Sequence, residues 1–406
     1  MVADSGTPEQ GPVAALLSTA GWAAAAERVL GRSWVVIPGE VLAPSEARQR
    51  GSDPALRSPS RPGFRRRLPT VAKTAAKDML HWRLSRRFAI DPNGPWSGAN
   101  VTFVWQRHDL FHTAGLVLAR RLRAPSVLFV PAAKVWEARQ WGTTRPGWGR
   151  WLERRAEWPA LQGADLIACG SETVVEQVLR IGVPEKRVLL TPTGVDLDLF
   201  AEPPDPTRLR RPLGVEDRFV VGWVGSFRRF HALEQAVEAV ATVPDAALLL
   251  VGDGPERGRI ERFAREMGVL VTFTGTVPHH ELPAYLAAMD AAVILAPRRQ
   301  PFHYSPLKVA EYLAAGLPVV APAAGQLAAR LTDGVDAVVV PPHDVAALAA
   351  ALQRLHNDPE ERARLGKAAR AAAEDRWSWD DQVGRVTEAL ADHPGRAHDP
   401  LLATGP

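Results

Sequence analysis

The sequence predicts an α/β fold of two domains, each built around a parallel β-sheet. Short apolar runs of strand length alternate with segments of helical periodicity in both halves of the chain. The length of 406 residues is ample for two hydrophobic cores of ordinary size. A proline-rich run at 202–206 lies near the middle and has the composition of a domain linker.

Composition indicates an ordinary globular protein, with 46% hydrophobic and 23% charged residues. The formal net charge of +4 arises from a basic excess in the first half. Cys169 is the only cysteine, which excludes an intramolecular disulfide and suits a reducing cytoplasm. No apolar run reaches the ~20 residues that span a bilayer, and the first residues lack the pattern of a signal peptide. We therefore expect a cytoplasmic location, with membrane contact limited to the inner face.

The first half begins with a predicted strand at 13–17, a helix at 21–30 and a strand at 32–37. The loop between the first strand and helix contains only Gly21, so it lacks the G-x-G-x-x-G pattern of dinucleotide-binding folds. We therefore exclude an oxidoreductase. Further strands are predicted at 101–105, 126–130, 164–168 and 187–191.

The most basic stretch of the chain runs from 61 to 88, where Asp78 is the only acid and Phe64 and Trp82 are among the interleaved apolar residues. A basic amphipathic helix is predicted from about Thr70 onward. One reading is a surface that lies on anionic lipid. The other is a solvated helix whose aromatic residues are anchored in the core. No nucleic-acid-binding motif accompanies the charge, so no nucleic-acid partner is expected.

Polar side chains follow the predicted strand 101–105, with Arg107 and His108 among them. The C-terminal end of a parallel strand is where open α/β sheets bind their ligands. The pattern therefore indicates either a binding site or a loop that is polar only because it is exposed.

The second half opens with a buried strand at 219–225, followed by Ser226, Arg228 and His231 at the start of a helix. Cationic groups beside a helix N-terminus after a parallel strand favour the binding of a diphosphate. Strands and helices then alternate to about residue 340, which predicts a right-handed parallel sheet.

The segment 304–321 predicts a capped helix followed by a buried strand. Ser305 is a good N-cap and Pro306 suits the first helical position. Lys308 and Glu311 fall on one polar stripe of an otherwise apolar helix. Because charged groups in an apolar setting are costly unless paired or liganded, the stripe indicates either a sugar-phosphate site or a simple i, i+3 ion pair.

From about residue 100 to 391 the chain resembles a glycosyltransferase of family 4 with the GT-B fold, in which two Rossmann-like domains with parallel sheets face a central cleft. The resemblance is carried by the motifs at 225–231, 252–255, 305–311, 194–196 and 377–379. It implies an acceptor-binding domain at 1–200, a linker at 201–215, a nucleotide-sugar donor domain at 216–376, a helix at 377–391 that crosses back to the first domain, and a disordered tail at 392–406.

The resemblance implies transfer of a hexosyl-type sugar from a nucleotide-diphosphate sugar, with retention of anomeric configuration and without a metal. The donor would be UDP-, GDP-, ADP- or TDP-linked, and no cofactor is expected to be bound covalently. The acceptor would be a small molecule, a glycan or a lipid-linked sugar. A nucleotide-sugar epimerase or phosphorylase on the same fold, and a catalytically silent nucleotide-sugar-binding partner protein, are the alternatives.

The resemblance also implies roles for individual residues. Glu311 would hold the ribose, and the backbone at Thr276 and Val277 would receive the base. The diphosphate would be bound by Gly225, Ser226, Arg228, His231, Ser305, Pro306, Leu307 and Lys308. His303 stands where the family carries a glutamate, and His231 stands where a lysine is common. His108 is the expected catalytic residue, because imidazole is the usual general acid or base, and Arg107 is the second candidate.

Overall fold

The computed structural model describes residues 1–4, 13–52, 70–140, 142–296 and 307–392. The chain divides into two compact units, one made of Met1–Pro192 with Trp379–Pro406 and the other of Thr193–Ser378. Each unit contains a largely parallel sheet with helices, which confirms the predicted α/β class.

Among the described residues, the first unit contains seven strands and eight α-helices before residue 192, and it also contains the final described helix. Its strands are β1 (Val2–Asp4), β2 (Trp34–Ile37), β3 (Glu40–Leu42), β4 (Val104–Arg107), β5 (Ser126–Val130), β6 (Leu166–Cys169) and β7 (Val188–Leu190). Its helices are α1 (Val13–Leu30), α2 (Pro44–Ser52), α3 (Thr70–Arg87), α4 (Ala114–Leu122), α5 (Lys134–Gln140), α6 (Gly149–Leu152), α7 (Trp158–Gly163) and α8 (Glu172–Arg180). A π-helical stretch, Glu153–Glu157, joins α6 to α7.

The second unit repeats the strand and helix alternation. Its strands are β8 (Phe219–Val224), β9 (Ala246–Val251), β10 (Leu270–Gly275), β11 (Ala291–Val293), β12 (Val319–Pro322) and β13 (Val338–Val340). Its helices are α9 (Thr207–Arg210), α10 (Glu234–Val240), α11 (Arg257–Glu266), α12 (Leu282–Ala287), α13 (Leu307–Ala314), α14 (Gln326–Arg330), α15 (Val345–Asn357) and α16 (Pro359–Arg376), and the chain then returns to the first unit as α17 (Trp379–Asp392).

Both sheets place their first strand, β1 or β8, in the interior of the sheet. The first has the order β3-β2-β1-β4-β5-β6-β7 and is parallel except for the antiparallel pair of β2 and β3. The second has the order β10-β9-β8-β11-β12-β13 and is parallel throughout the described strands. Because the carboxyl ends of parallel strands share one edge, the turns that follow β4, β5, β8 and β9 are where a ligand site is expected.

The strand predicted at 13–17 is wrong. Residues 13–30 form one continuous helix, and the first strand is Val2–Asp4, which pairs with both β2 and β4. Alanine and leucine dominate the start of α1, and these residues favour helix over strand. Gly21 does not end a strand but lies within α1, where a Cβ would come within 2.5 Å of the Trp379 indole nitrogen.

The last helix, α17, packs on α1 within the first unit. The ring of Trp379 lies 5.5 Å from the fully buried ring of Trp22, which also contacts Trp105 and Phe129. Arg28 Nε donates to the Asp380 carboxylate at 3.0 Å beside this aromatic cluster. The core of the first unit therefore includes residues from both ends of the described chain.

Residues 201–215, predicted as a linker, are part of the second unit. The side chains of Phe200 and Val215 are buried in its core, and Arg210 forms an ion pair with Asp290 at 2.7 Å. The chain therefore passes from the first unit to the second at Pro192 and Thr193, before the proline-rich run. The basic residues at 61–69 lie outside the described residues. So does the tail predicted as disordered at 392–406, except for Asp392.

Candidate functional site

The turn after β8 is built from closely packed glycine backbone. Gly225 has a φ of 141°, and a Cβ there would lie 3.2 Å from the Lys308 ammonium nitrogen. At Gly252, whose φ is 131°, a Cβ would lie 2.0 Å from the carbonyl oxygen of Gly225. Only glycine fits such contacts without displacing backbone. The two predicted glycine turns therefore pack directly on each other beside a cationic side chain.

Lys308 places its ammonium group on an aromatic ring. It lies in the first turn of α13, and its Nζ is 3.7 Å from the centroid of the Trp223 ring on β8. Burial lowers the pKa of Lys308 to about 7, and the nearby carboxylate of Glu311 opposes this shift. A cation–π contact compensates only partly for lost hydration. An anionic ligand bound here would supply the opposite charge.

His231 stabilises the turn without adding positive charge. Its Nδ1 donates a hydrogen bond to the carbonyl oxygen of Ser226, and its ring lies 4.9 Å from that of Trp223. Burial, followed by the charge of Lys308, lowers the pKa of His231 to about 2. The imidazole is therefore neutral at physiological pH, and it closes the loop that runs from Gly225 to the exposed residue Arg228.

Glu311 is paired with a histidine that the sequence did not indicate. The Nε2 atom of His279 lies 2.8 Å from Glu311 Oε1, with both side chains partly buried. His279 lies four residues after the end of β10 and two residues after Val277, in the segment where the base was expected to bind. The carboxylate keeps its second oxygen, Oε2, for another partner.

Tyr312 connects α13 to the end of β8. Its hydroxyl oxygen accepts a hydrogen bond from the backbone N–H of Val224 at 2.8 Å, and its side chain is fully buried. Burial raises the pKa of Tyr312 far above its ordinary value, so the hydroxyl stays protonated. This contact holds α13, and with it Lys308, against the end of β8.

The structure thus brings Lys308 of α13 to the turn formed by Gly225, Ser226 and His231. Glu311, on the same helix, contacts His279 instead, and Leu307 is the first residue of that helix. Arg228 and Thr276 are exposed in neighbouring segments, and Val277 is partly buried. His303, Ser305 and Pro306 lie outside the described residues.

In the first unit, Arg107 and His108 follow the strand predicted at 101–105 and lie in different environments. Arg107 is the last residue of β4, which runs from Val104 to Arg107 rather than over 101–105, and its guanidinium lies 5.8 Å from the ring of Phe129. Burial lowers the pKa of Arg107, while Asp109 and Glu137 oppose the shift. Arg107 is partly exposed at the edge of the sheet.

His108 is fully buried and bonded to a carboxylate. Its Nε2 lies 2.9 Å from Glu157 Oε1, and the side chain of Glu157 is also buried. The same oxygen accepts the backbone N–H of Lys134, the first residue of α5. The imidazole therefore connects β4, the π-helical stretch and α5 inside the unit, and its Nε2 is occupied.

Within the described ranges, no group of three or more histidine, cysteine, aspartate or glutamate residues is placed to hold a metal ion. None of the helices that the structure describes has the length and apolar character needed to cross a bilayer.

Two family models match the chain, one in each half. Residues 31–199 match Glycosyltransferase Family 4, and residues 218–358 match Glycosyl transferases group 1.

Curated relatives are similar over part of their length. A GDP-mannose-dependent alpha-(1-6)-phosphatidylinositol monomannoside mannosyltransferase of Mycolicibacterium smegmatis is 35% identical over 210 residues, which cover 49% of this chain and 55% of that protein. A 2-deoxystreptamine glucosyltransferase of Streptomyces kanamyceticus is 30% identical over 221 residues, covering 52% and 54% of the two chains. The chain thus aligns with about half the length of these relatives.

Solved structures resemble nearly the whole chain. Anabaena HepE in complex with UDP has a TM-score of 0.63 at 18% identity and covers 96% of this chain and 99% of its own. A sucrose-phosphate synthase from Thermosynechococcus elongatus has a TM-score of 0.64 at 22% identity and covers 96% and 98%. At these identities the likeness concerns the fold, which is GT-B. With matching models in both halves, the protein belongs to glycosyltransferase family 4.

Proposed function

We propose that the protein is a glycosyltransferase that moves a hexosyl-type sugar from a nucleotide-diphosphate sugar to an acceptor hydroxyl, with retention of anomeric configuration and without a metal ion. One observation carries this proposal: the Lys308 ammonium lies against Trp223 beside the glycine turn at Gly225. A half-buried cation beside a glycine turn at the end of a parallel strand suits a diphosphate.

In this proposal the second unit binds the donor. Lys308 and Arg228 bind the diphosphate and stabilise the negative charge that grows on it as the glycosidic bond breaks. Glu311 accepts hydrogen bonds from the ribose hydroxyls through the oxygen that His279 leaves free. The backbone at Thr276 and Val277 receives the base, and Ser305, Pro306 and His303 are proposed to contact the phosphates and sugar.

The first unit is proposed to bind the acceptor at the edge of its sheet. The burial of His108 on Glu157 supports a positioning role for that histidine, which holds the end of β4 against α5. Arg107, partly exposed at the same strand end, is the better candidate for direct contact with the reacting groups.

The relatives narrow the substrates that deserve testing. The Mycolicibacterium relative is named for GDP-mannose and a phosphatidylinositol monomannoside, and the Anabaena structure contains UDP. We therefore propose a UDP- or GDP-linked donor before ADP or TDP, and an acceptor that is a small polyol, a glycan or a lipid-linked sugar. A cytoplasmic location is proposed, where nucleotide sugars are made.

The proposal is tested by nucleotide release. The protein is mixed with UDP-, GDP-, ADP- and TDP-linked sugars, with and without a cell extract that supplies acceptors, in the presence and absence of a chelator. A transferase releases nucleotide only with the acceptor source, and the chelator leaves the rate unchanged. An epimerase converts its donor without acceptor, whereas a silent binding partner binds a nucleotide and releases nothing.

A thermal-shift screen with free UDP, GDP, ADP and TDP identifies the base independently of turnover. A nucleotide at 100 times its dissociation constant adds about 2.7 kcal/mol to the free energy of unfolding of the unit that binds it. The Lys308→Ala variant should lose most of this shift. A full shift in the variant would contradict the donor site.

A further inference from the structure

The helix α3 in the first unit buries polar side chains, whereas an ordinary surface helix buries apolar ones. Its buried side chains are polar: Asp78 is 7% exposed, His81 7% and Ser85 8%. These three residues follow at intervals of three and four, so they form one face of the helix. A surface helix usually buries its apolar stripe and exposes its polar one. In α3 the polar stripe faces the protein.

The inner face is fixed by specific polar contacts. Asp78 accepts hydrogen bonds from Arg145 Nε at 2.8 Å and Arg145 Nη2 at 3.0 Å, and a third from the Trp148 indole N–H at 3.0 Å. His81 lies 3.5 Å from the Asp109 carboxylate. Because charged hydrogen bonds of this kind have defined directions, they set the rotation of the helix and hence which residues point outward.

The outer face is apolar and basic at once. Met79 is 58% exposed, Leu80 40% and Trp82 38%. The basic residues of the helix are all exposed, namely Lys73, Lys77, Arg83, Arg86 and Arg87. Asp78, the only acid in the helix, is bound to Arg145, so the outer face carries no negative side chain.

A second exposed tryptophan, on α6, lies among exposed basic residues as Trp82 does on α3. Trp151 in α6 is 53% exposed, and its ring lies 6.3 Å from that of Phe111, which in turn lies 6.5 Å from His81 of α3. Arg150 and Arg154 beside it are exposed as well. The same combination of aromatic and basic side chains therefore extends beyond α3.

We propose that this surface, formed by the outer face of α3 and the exposed residues around Trp151, binds the surface of an anionic lipid bilayer. Tryptophan and methionine side chains would enter the headgroup region while arginine and lysine bind lipid phosphates. Lys73 and Lys77 also belong to this surface, and lysine is depleted at the centres of protein interfaces, so we argue for a bilayer and leave a protein partner as an outcome of the test. The inference does not depend on the assignment of donor or acceptor.

Vesicle flotation with the full chain tests the proposal. The probes are phosphatidylcholine vesicles and vesicles in which a third of the lipid is phosphatidylglycerol. We expect the bound fraction to rise sharply with phosphatidylglycerol and to fall as sodium chloride is added, since salt screens the charge attraction. Equal binding to both vesicles, or binding to neither, would overturn the proposal.

Two variants separate the contributions of charge and apolar contact. The triple variant Arg83→Gln, Arg86→Gln, Arg87→Gln should bind anionic vesicles about 100-fold more weakly, at roughly fivefold for each charge removed. The variant Met79→Ser, Leu80→Ser, Trp82→Ser should lose binding that persists at high salt. All substituted positions are exposed, so both variants should unfold at the wild-type temperature.

A matched control comes from the second unit. Arg262 and Arg265 of α11 are exposed, and Met267 beside them is 42% exposed. The variant Arg262→Gln, Arg265→Gln, Met267→Ser should bind vesicles as the wild type does. If it weakens binding as much as the α3 variants, the attraction is unspecific and the proposal fails. If the chain instead forms a dimer that the α3 variants dissociate, and binds no vesicles, the surface is a protein interface and the proposal is wrong.

Discussion

The Nε2 atom of His279 lies 2.8 Å from Oε1 of Glu311, so one oxygen of this carboxylate is bonded to a side chain of the protein. His279 comes from the segment after β10 and Glu311 from α13, so the hydrogen bond joins two separate βα units of the second sheet. A carboxylate with one oxygen fixed in this way presents the other in a defined direction, which reduces the ordering needed when a diol binds.

The first prediction concerns His279 as a positioning residue. His279→Ala should raise the KM for the donor about 5- to 20-fold with a smaller effect on kcat. The substitution removes the hydrogen bond that orients Glu311 but leaves the carboxylate itself in place. His279→Gln, which keeps an N–H donor, should recover part of the loss. The matched control is His280→Ala, since His280 is the adjacent histidine and its side chain is 72% exposed. Equal effects at the two histidines would show that the contact with Glu311 is irrelevant.

The second prediction is that Glu311→Gln weakens donor binding about 10- to 100-fold while the fold is retained. A hydrogen bond to a charged group contributes about 1.5–3 kcal/mol, and the neutral amide oxygen is a weaker acceptor for the ribose hydroxyls than the carboxylate oxygen it replaces. Calorimetric titration with the nucleotide measures the loss, and thermal unfolding checks the fold. Glu281→Gln is the control, because Glu281 is also next to a histidine but has a side chain that is 50% exposed. Normal turnover in Glu311→Gln would remove the ribose assignment.

The third prediction follows from the pKa of Lys308, which burial lowers to about 7. Above that pH the free protein holds a neutral amine, whereas a bound diphosphate favours the ammonium. Donor binding should therefore take up a proton, and affinity should fall by up to tenfold per pH unit above about pH 7. Below that pH the lysine is already charged, so the dependence should flatten.

Calorimetry one to two pH units above this value, in two buffers of different ionisation enthalpy, measures the proton uptake. Lys308→Ala should remove both the uptake and the pH dependence, and it should lower kcat more than donor affinity, because charge on the leaving diphosphate is greatest in the transition state. Arg228→Ala should lower kcat in the same way while keeping the proton uptake. A pH-independent affinity in the wild type would contradict the proposed contact between Lys308 and the diphosphate.

The fourth prediction concerns the buried carboxylate of Glu157. Glu157→Ala leaves both the His108 ring and the Lys134 amide without their common acceptor, so we expect a loss of about 2–4 kcal/mol in the free energy of unfolding. Glu157→Gln keeps an oxygen at the site and should lose less. Urea unfolding provides the measurement. Glu153→Ala removes a carboxylate from the same π-helical stretch whose partner, Arg139, is 61% exposed, and it should cost less than about 1 kcal/mol.

Much of the fold could be predicted because local patterns and chain topology agree. The alternation of apolar runs and helical periodicity correctly indicated two parallel sheets. Lys308 and Glu311 were selected because two charges on an apolar helix need partners, and each has one in the structure. The three-residue strand Val2–Asp4 was missed because its pairing with β2 and β4 depends on residues far along the chain.

The parts of the site that could not be predicted depend on long-range contacts. His279 is one of two adjacent histidines in the sequence, and only its contact with Glu311 of α13 distinguishes it from His280. His108 carried the right chemistry for catalysis, yet its environment is decided by Glu157, 49 residues away in a π-helical stretch that no periodicity indicates. The inverted burial of α3 was hidden for the same reason, because Arg145 and Trp148 decide which way the helix faces.

The return of the chain at Trp379 has a consequence for the order in which the protein is made. The two chain segments that connect the units are adjacent. The Val195 N–H donates a hydrogen bond to the carbonyl oxygen of Trp377 at 2.7 Å, and Val195 forms an isolated β-bridge with Ser378. The second unit is thus an uninterrupted insertion, and during synthesis all of its residues leave the ribosome before α17 does. The surface of Trp22 has no Trp379 to cover it throughout that time. The unit whose synthesis begins first is therefore the last to be completed, after every residue of the second unit has been made.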